Sequence, residues 1–446
     1  MKPDLAALFP VLAFATWLGV PLYAAFARGR FYAIFSAVLL SVSLPGALVL
    51  HSRLRTVLPA EWELAIDGVF AWSMLVCSVQ FAHLVRARMR SSAFRWLVSV
   101  PGQTFIAAGM LAGPWLILLL PFRMLFDALA WESALAVLTF VEAIPLALAV
   151  ISVTTSTAAR PETVRIRLAR DGPKALARVP VERIHGRIPE SGFSGSSTRG
   201  SARPGPPSVE RDPTRPLRVV QLTDTHLGPW QSVSRLRRRI ERLVERDPDL
   251  IALTGDYLTM ESMGSPGCLA RALAPLAPIA DRCVAIFGNH DHEAPEEVRD
   301  ALKSLGIQLL IDGEACFETA AGSVQVLGSD YLSQDHAKHL AALLERHPRR
   351  EAHLRLLLLH DPVGFHALPE DDVDLVLSGH THGGQVGLVS LGLDWTVLSR
   401  TRWPDQGLFA RGGSRLYVHR GTGFYGFPLR VGVPAEHSLL EIFNVT

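Results

Sequence analysis

Long apolar runs separated by short polar or basic segments fill the first 155 residues, and they constrain this chain more than any other feature. The runs lie at about 5–27, 31–50, 64–85, 105–120 and 134–153. A helix that crosses a bilayer needs about 20 mostly apolar residues, so each run has roughly the required length. A cleavable signal peptide would explain only the first run, because four more follow it. The sequence therefore predicts about five transmembrane helices within residues 1–155.

The distribution of arginine among the short loops predicts an orientation. Loops after the second and fourth runs mix arginine with acidic residues, whereas loops after the first and third runs are basic. The arginines of the basic loops are Arg28, Arg30, Arg86, Arg88, Arg90 and Arg95. Because cytoplasmic loops are enriched in Lys and Arg, we expect a multi-pass protein of the cell membrane whose C-terminal part is cytoplasmic. Glu142 lies inside the fifth run and is expected to be protonated or paired, since a lone charge there is costly.

The second part of the chain reads as a linker followed by a globular domain. At 446 residues the chain exceeds the usual size of one compact core, so a second unit is expected. We assign residues 156–216 to a linker that contains a predicted edge strand, TVRIRL, at 163–168. Within it, residues 191–216 are rich in Gly, Pro, Ser and Arg, which predicts a disordered insert. Residues 217–446 then form the globular domain.

Charge and cysteine content narrow the function classes. The formal net charge of +2 gives no electrostatic reason to expect a nucleic acid partner. The four cysteines, Cys77, Cys268, Cys283 and Cys316, are widely spaced and form no CxxC pair. This spacing indicates neither a disulfide framework nor a thiolate zinc site, so reduced, buried thiols are expected.

Beyond residue 217, short apolar runs of strand length repeatedly end in residues that can ligate a metal ion. The runs are LRVVQL, LIAL, CVAIF, LRLLLL and VDLVLS. The potential ligands at their ends are Asp224, His226, Asp256, Asn289, His290, Asp291, His360, Asp361, His380 and His382. Helix-like stretches at 232–245 and 296–305 alternate with these runs, which is typical of a layered α/β domain.

The carboxyl ends of neighbouring strands converge on one edge of a sheet, where open α/β folds place their binding crevices. Asp and Asn oxygens together with neutral His nitrogens suit a pair of divalent cations. Two cations require a shared carboxylate, and Asp256 is the natural candidate. A lone Asp-x-His or Gly-Asp pattern means little, because turns favour these residues, so the prediction rests on all the patterns occurring together.

The motifs DTH, GD, GNHD, HD and GHTHGG, in this order, resemble the signature of the calcineurin-like metallophosphoesterase family over about residues 217–442. The resemblance implies a four-layer α/β domain with two central mixed β-sheets flanked by helices. SGHTHGGQV and GTGFYGFPLR are similar to a membrane-anchored subgroup that contains the bacterial UDP-diacylglucosamine hydrolases. This chain departs from that subgroup at Pro434-Ala435-Glu436, where Pro-Pro-Glu is usual.

The resemblance also implies a role for each matching residue. One metal ion would be held by Asp224, His226, Asp256 and His382. The second would be held by Asp256, Asn289, His360 and His380. His290 would give a proton or hydrogen bond to a phosphate oxygen, and Asp291 would orient the His290 ring. The ligand types admit manganese, iron or zinc.

These implications predict a metal-dependent phosphoesterase. Two divalent ions would support hydrolysis of a phosphate ester by a metal-bridging hydroxide. The apolar N-terminal half points to a lipid-linked or membrane-proximal phosphoester as substrate. Two alternatives stay open: a nuclease-type phosphodiesterase, and a non-catalytic membrane sensor with the same fold. The oligomeric state is not predicted.

Overall fold

The computed structural model describes residues 5–185, 215–351, 353–424, 426–427 and 429–443. The predicted disordered insert at 191–216 lies outside the described residues except for its last two positions. The described residues form a group of N-terminal helices and a larger domain of two β-sheets.

The N-terminal helices are α1 Leu8–Ala27, α2 Arg30–Val57, α3 Glu63–Leu84, α4 Ser92–Phe94, α5 Val100–Ala128, α6 Glu132–Glu142 and α7 Ile144–Thr157. They make up 5 candidate membrane spans by length and composition: Leu8–Ala27, Arg30–Val57, Ala60–Leu84, Ser92–Ala128 and Glu132–Ser156. The prediction of five apolar helices is confirmed. The fifth span is divided into α6 and α7, and Pro145 stands in the first turn of α7, where the missing N–H of proline is tolerated.

Glu142 is fully buried between helices and is paired. Its Oε2 accepts a hydrogen bond from Arg123 Nη1 at 2.8 Å, and its Oε1 accepts one from Arg53. The two arginines offset the cost of burying the carboxylate. The pairing predicted for Glu142 is therefore observed, and it joins α2, α5 and α6.

The larger domain contains two seven-stranded mixed sheets. The strands are β1 Ala159–Arg167, β2 Ala177–Val179, β3 Glu182–His185, β4 Leu217–Leu222, β5 Leu250–Leu253, β6 Cys283–Ala285, β7 Gln308–Leu309, β8 Gly313–Thr319, β9 Gly322–Gly328, β10 His353–Leu358, β11 Leu375–Ser378, β12 Gly407–Arg411, β13 Ser414–Val418 and β14 Ala435–Phe443. The first sheet has the order β3-β1-β14-β4-β5-β6-β7 and the second the order β2-β12-β13-β11-β10-β9-β8. The helices are α8 Val233–Val244, α9 Met260–Met263, α10 Cys268–Leu273, α11 Pro295–Ser304 and α12 His336–Arg346.

Alternating side chains of the strands build separate cores on the two faces of each sheet. In β4, Val219 joins a core shared with Leu356 and Leu377 of the second sheet. Its neighbour Val220 instead packs with Leu236 of α8 on the outer face. Successive side chains of a strand point to opposite faces, so β4 contributes to both cores. The prediction of an α/β domain with two central mixed sheets flanked by helices is thus confirmed.

Strand β1 differs from the expected edge strand. It lies second from the edge, because Glu162 to Arg165 pair antiparallel with β3, and its other side pairs parallel with β14. Strand β3 has only four residues, ERIH, of which three are polar, so no apolar pattern in the sequence predicts it. Residues 159–185 therefore contribute three strands to the two sheets.

Candidate metal centre

The sequence-predicted site residues stand just after strands of both sheets. Asp224 follows β4, Asp256 follows β5 and Asn289 follows β6, and these three strands are parallel neighbours. His360 follows β10 and His380 follows β11, which are also parallel neighbours. Carboxyl ends of parallel strands share one edge, and the structure brings the corresponding edges of the two sheets together. All the predicted ligands therefore lie in one region.

Backbone strain is concentrated at these residues. Positive φ angles occur at Asp224 (50°), His226 (41°), Asp256 (58°), His380 (69°) and His382 (52°). Non-glycine residues adopt this region at a cost of about 1–3 kcal/mol each and keep it only where their surroundings impose it. Such clustering is typical of functional sites, because the strained backbone aims side chains that a relaxed strand end would direct elsewhere.

A first group of ligand atoms comes from Asp224, His226 and His382, which lie within 4.8 Å of one another. The Nε2 atoms of His226 and His382 are 3.1 Å apart, and His382 Nε2 is 3.2 Å from Asp224 Oδ1. Two nitrogens bound at about 2.1 Å to one ion, at angles between octahedral and tetrahedral, would be about 3.0–3.4 Å apart. The remaining pair, His226 Nε2 and Asp224 Oδ1, is 4.0 Å apart, so the three side chains could hold one cation after a small movement of the Asp224 carboxylate or the His226 ring.

A second group comes from Asp256, His360 and His380. His360 Nε2 lies 3.3 Å from Asp256 Oδ2, and His380 Nδ1 lies 2.9 Å from Asn289 Oδ1. The other ring nitrogen of His360, Nδ1, is 2.7 Å from the carbonyl oxygen of Thr254, which fixes the proton on Nδ1. His360 Nε2 is buried, and the Asp256 carboxylate is the acceptor beside it. A buried nitrogen that faces a carboxylate, on a ring whose other nitrogen is held by a backbone carbonyl, suits a metal ligand.

Asp256 lies between the two groups. Its Oδ2 is 3.8 Å from His226 Nε2 in the first group and 3.3 Å from His360 Nε2 in the second. Its Oδ1 accepts a hydrogen bond from the backbone N–H of His290 at 2.9 Å. Gly288 allows this approach, because a Cβ there would lie 2.2 Å from Asp256 Oδ1. The carboxylate is thus held at the position that a shared ligand requires.

Burial sets the protonation states of the site. It lowers the pKa of His226 to about 3 and that of His380 to about 4, with the charge of His360 contributing to the latter. It raises the pKa of Asp224 to about 6. Burial also disfavours charge on Asp256, but the neighbouring positive charge of His360 outweighs it and lowers the Asp256 pKa. Burial also disfavours charge on His360, but the Asp256 carboxylate outweighs it and raises the His360 pKa to about 10. Because cations bind neutral imidazole and ionised carboxylate, a metal ion here would take the place of the proton on His360.

The His290 ring contacts Glu293 rather than Asp291, which was the expected partner. The Asp291 carboxylate accepts hydrogen bonds from the backbone N–H groups of Asp256 (2.7 Å), Tyr257 (2.9 Å) and Gly288 (2.8 Å). The His290 ring instead contacts Glu293, with Nδ1 at 2.9 Å from Oε1. The expectation that Asp291 orients the His290 ring is wrong. Through these bonds Asp291 joins the turn after β5, which carries Asp256, to the turn after β6, which carries Asn289. Burial raises the Asp291 pKa to about 7.

Two side chains that contact the candidate ligands, those of Arg430 and Tyr331, were not predicted as site residues. Arg430 is fully buried, and its Nη2 donates to the carbonyl oxygens of Arg420 and Gly423, both at 2.6 Å, and lies 3.2 Å from His382 Nδ1. The ring of Tyr331 is 6.2 Å from the rings of both His360 and His380. Arg430 belongs to the segment GTGFYGFPLR, which indicated a family likeness but no role, and Tyr331 carried no signal in the sequence.

Comparisons with known proteins agree with this geometry. Residues 217–384 match the model of the family described as calcineurin-like phosphoesterase. The chain is 31% identical over 238 residues to phosphodiesterase YaeI of Escherichia coli (strain K12), covering 52% of this chain and 84% of that protein. It is 30% identical over 224 residues to metallophosphoesterase YkuE of Bacillus subtilis (strain 168), covering 48% of this chain and 74% of that protein.

A vertebrate relative shares the combination suggested by the two halves of the chain. The Danio rerio transmembrane protein with metallophosphoesterase domain is 30% identical over 240 residues, which cover 49% of this chain and 52% of that protein. Taken with the matched family model and the bacterial relatives, this likeness shows that the chain belongs to the calcineurin-like phosphoesterase family, whose members are metal-dependent phosphoester hydrolases.

Proposed function

We propose that this protein hydrolyses a lipid-linked or membrane-proximal phosphoester at a binuclear metal centre. One ion is assigned to Asp224, His226, Asp256 and His382, and the other to Asp256, Asn289, His360 and His380. The buried Nε2 of His360 beside the Asp256 carboxylate and the two groups of ligand atoms support this assignment. Manganese, iron and zinc all suit these ligands. When bound, the two ions would activate water and neutralise charge on the phosphate oxygens.

The protein's own groups bind and position the reactants. His290 lies at the edge of the site, with its ring 5.5 Å from that of His226 and its Nδ1 against Glu293. Burial lowers the pKa of His290, but its contacts with Glu293 and the charge of Asp256 outweigh burial and raise it. A protonated His290 can hold a phosphate oxygen or give a proton to a leaving group.

An apolar cavity carries the proposal of a lipid-linked substrate. Its walls come from both halves of the chain: Phe35, Leu39 and Phe81 of the candidate spans, and Trp230, Phe424 and Phe427 of the phosphoesterase domain. His226, a proposed metal ligand, lines the same cavity. The cavity has a volume of about 70 Å³, so the part of an acyl or prenyl chain nearest the phosphate could lie in apolar surroundings while the phosphate reaches the metal ligands.

An exposed apolar loop of the phosphoesterase domain is placed to contact the membrane surface. In residues 388–397, the exposed fractions are 74% for Leu391, 54% for Leu393 and 46% for Trp395. Ser390 of this loop donates its N–H to the carbonyl oxygen of Gly432 at 2.8 Å, and the nearby Arg430 N–H donates to Ser156 Oγ at the end of α7. Exposed leucine and tryptophan beside the end of a membrane span suit the interfacial region of a bilayer.

The active domain is proposed to face the cytoplasm. The loop at residues 86–90 contacts it, because Met89 N–H donates to Ser265 Oγ at 2.7 Å, and this loop is one of the arginine-rich ones. We expect the exposed Cys316 to react with a membrane-impermeant maleimide only after intact cells are permeabilised, since the other three cysteines are buried. Glu61→Cys, in the loop at the opposite end of α3, should react in intact cells. Labelling of Cys316 without permeabilisation would reverse the proposed orientation.

Filling the apolar cavity tests the substrate class. Met260 lines it, and Met260→Trp would place a larger side chain where the lipid chain is proposed to lie. Relative to bis(p-nitrophenyl) phosphate, kcat/KM for a long-chain lipid phosphate ester should fall by about 10-fold or more. Met124→Trp, at an exposed position of α5, is the matched control and should leave the ratio of the two kcat/KM values unchanged.

Other outcomes of this experiment would favour the alternative functions. An equal loss for both esters in Met260→Trp would remove the support for a lipid chain in the cavity. Cleavage of single-stranded DNA in preference to either ester would favour the nuclease alternative. Tight binding of metal with no turnover of any phosphate ester would favour the sensor.

A further inference from the structure

A second and larger cavity, of about 520 Å³, lies where the loop between α3 and α5 meets the phosphoesterase domain. Five arginines line it: Arg88, Arg90, Arg95, Arg237 and Arg271. Three belong to the membrane-side loop and its continuation, and two belong to α8 and α10. The hydroxyl-bearing residues Ser92, Ser232 and Ser234 also line this basic cavity.

The positive charge of the basic cavity is poorly neutralised by the protein. Glu261 is the one acidic residue among the described residues that line it, and burial raises its pKa, which favours the uncharged form. Arg237 pairs with Glu241 at 3.0 Å, and Arg90 donates to the carbonyl oxygens of His83 and Arg86. The ion pairs among the described residues include none to Arg88, Arg90, Arg95 or Arg271. Burial lowers the pKa of Arg90, and the adjacent Arg88 lowers it further.

The usual bias for cytoplasmic arginine explains only half of this arrangement. It accounts for the arginines that follow α3, but it gives no reason for Arg237 and Arg271 of the phosphoesterase domain to face them. Gathering like charges at a domain junction is unfavourable, and an anion bound between them would relieve that repulsion. The first turn of α8 adds to the effect, because Val233 and Ser234 line the cavity and the N-terminus of a helix attracts negative charge.

The basic cavity adjoins the apolar cavity that reaches His226. Gln80, Leu84, Pro229 and Glu261 line both. Residues 228 and 229, two and three positions after His226, stand at the boundary. One elongated molecule could therefore reach the proposed metal ligands, the apolar walls and the arginines at once.

We propose that the basic cavity binds a phosphate group carried by a lipid. Arginine recognises phosphate through paired, charge-assisted N–H···O bonds, and the serine hydroxyls and helix N-terminus complete the set of donors. Two lipids could supply this phosphate: the substrate, as a second phosphate away from the scissile one, or an anionic lipid of the bilayer. Its assignment to the substrate rests on the proposed function, whereas the phosphate site itself does not.

The test measures binding to the full chain in nanodiscs made of phosphatidylcholine, after the metals are stripped with EDTA. Dioctanoyl phosphatidic acid should bind, inorganic phosphate should compete with it, and dioctanoyl phosphatidylcholine should bind far more weakly. The double variant Arg95→Gln/Arg271→Gln should weaken phosphatidic acid binding by about 10-fold or more. Arg282→Gln/Arg346→Gln, at two exposed positions outside the cavity, is the matched control and should bind like the wild type.

Equal binding of phosphatidic acid to the wild type and the Arg95/Arg271 double variant would overturn the proposal, as would equal binding of phosphatidylcholine. In metal-loaded protein, phosphatidic acid that competes with a lipid-linked ester identifies the substrate as the source of the phosphate. A change in kcat without competition identifies a bilayer lipid. Because binding is measured without metal, protein that binds phosphatidic acid but hydrolyses no ester would contradict the proposed function and leave this site supported.

Discussion

Asp256→Asn is expected to lower kcat/KM for bis(p-nitrophenyl) phosphate by at least about 1,000-fold, because both proposed metal sites share this carboxylate. Asparagine tolerates the left-handed backbone found at Asp256, where φ is 58°, so the fold should be retained. Its amide offers one neutral oxygen in place of a charged carboxylate that reaches towards both ligand groups. Elemental analysis of the purified variant should therefore find fewer bound metal ions per chain than in the wild type.

Asp335→Asn is the matched control. Asp335 also has a positive φ, 59°, but it is exposed at the start of α12, so the same substitution there should leave activity and metal content near the wild-type values. Wild-type activity and metal content in Asp256→Asn would remove the basis of the proposed binuclear centre. Loss of metal with unchanged turnover in Asp256→Asn would show that the bound metal is not needed for hydrolysis.

Gly379→Ala should disrupt the site through the backbone rather than through a ligand. A Cβ at this position would lie 2.2 Å from both Asp224 Oδ2 and Thr223 Oγ1, so the Asp224 carboxylate must move. We expect a loss of activity of about 100-fold, because displacing a ligand by a fraction of an ångström disturbs the geometry that orients substrate. The free energy of unfolding should fall by about 1–3 kcal/mol, as for other overpacked positions.

Gly313→Ala provides the comparison for this prediction. A Cβ there meets its nearest neighbour, Leu310 Cδ2, at an ordinary 3.9 Å, and we expect little change in activity or stability. Added metal should partly restore Gly379→Ala if its defect is weakened metal binding. Full activity in Gly379→Ala at low metal concentration would show that Asp224 does not act as a ligand.

Much of the fold and of the candidate site could be predicted because the signals were local. Each apolar span is continuous along the chain, and each predicted ligand directly follows a short apolar strand. Strand β3 was missed because four residues rich in polar side chains carry too little periodicity. The role expected of Asp291 was wrong because the sequence gives its position next to His290 but not the direction of its side chain, which the turn points at three backbone N–H groups.

The junction between the two halves could not be predicted. Trp230 Nε1 donates to Gln103 Oε1, and Thr155 Oγ1 donates to the carbonyl oxygen of Arg430 at 2.7 Å, across separations of 127 and 275 residues. Nothing in the periodicity of either segment encodes such a partner. The two cavities at this junction are likewise formed only when the spans and the sheets pack together.

The sequence by itself determined the apolar helices, the class of the larger domain and the residues able to ligate metal, because hydrophobic periodicity and motif spacing act over a few residues. The tertiary structure alone decided the relative position of those ligands, the pairing of His290 with Glu293, and the meeting of the membrane-side arginines with those of α8 and α10. These features depend on side-chain packing between segments distant along the chain, and that packing is settled only when both sheets and the helices share their cores.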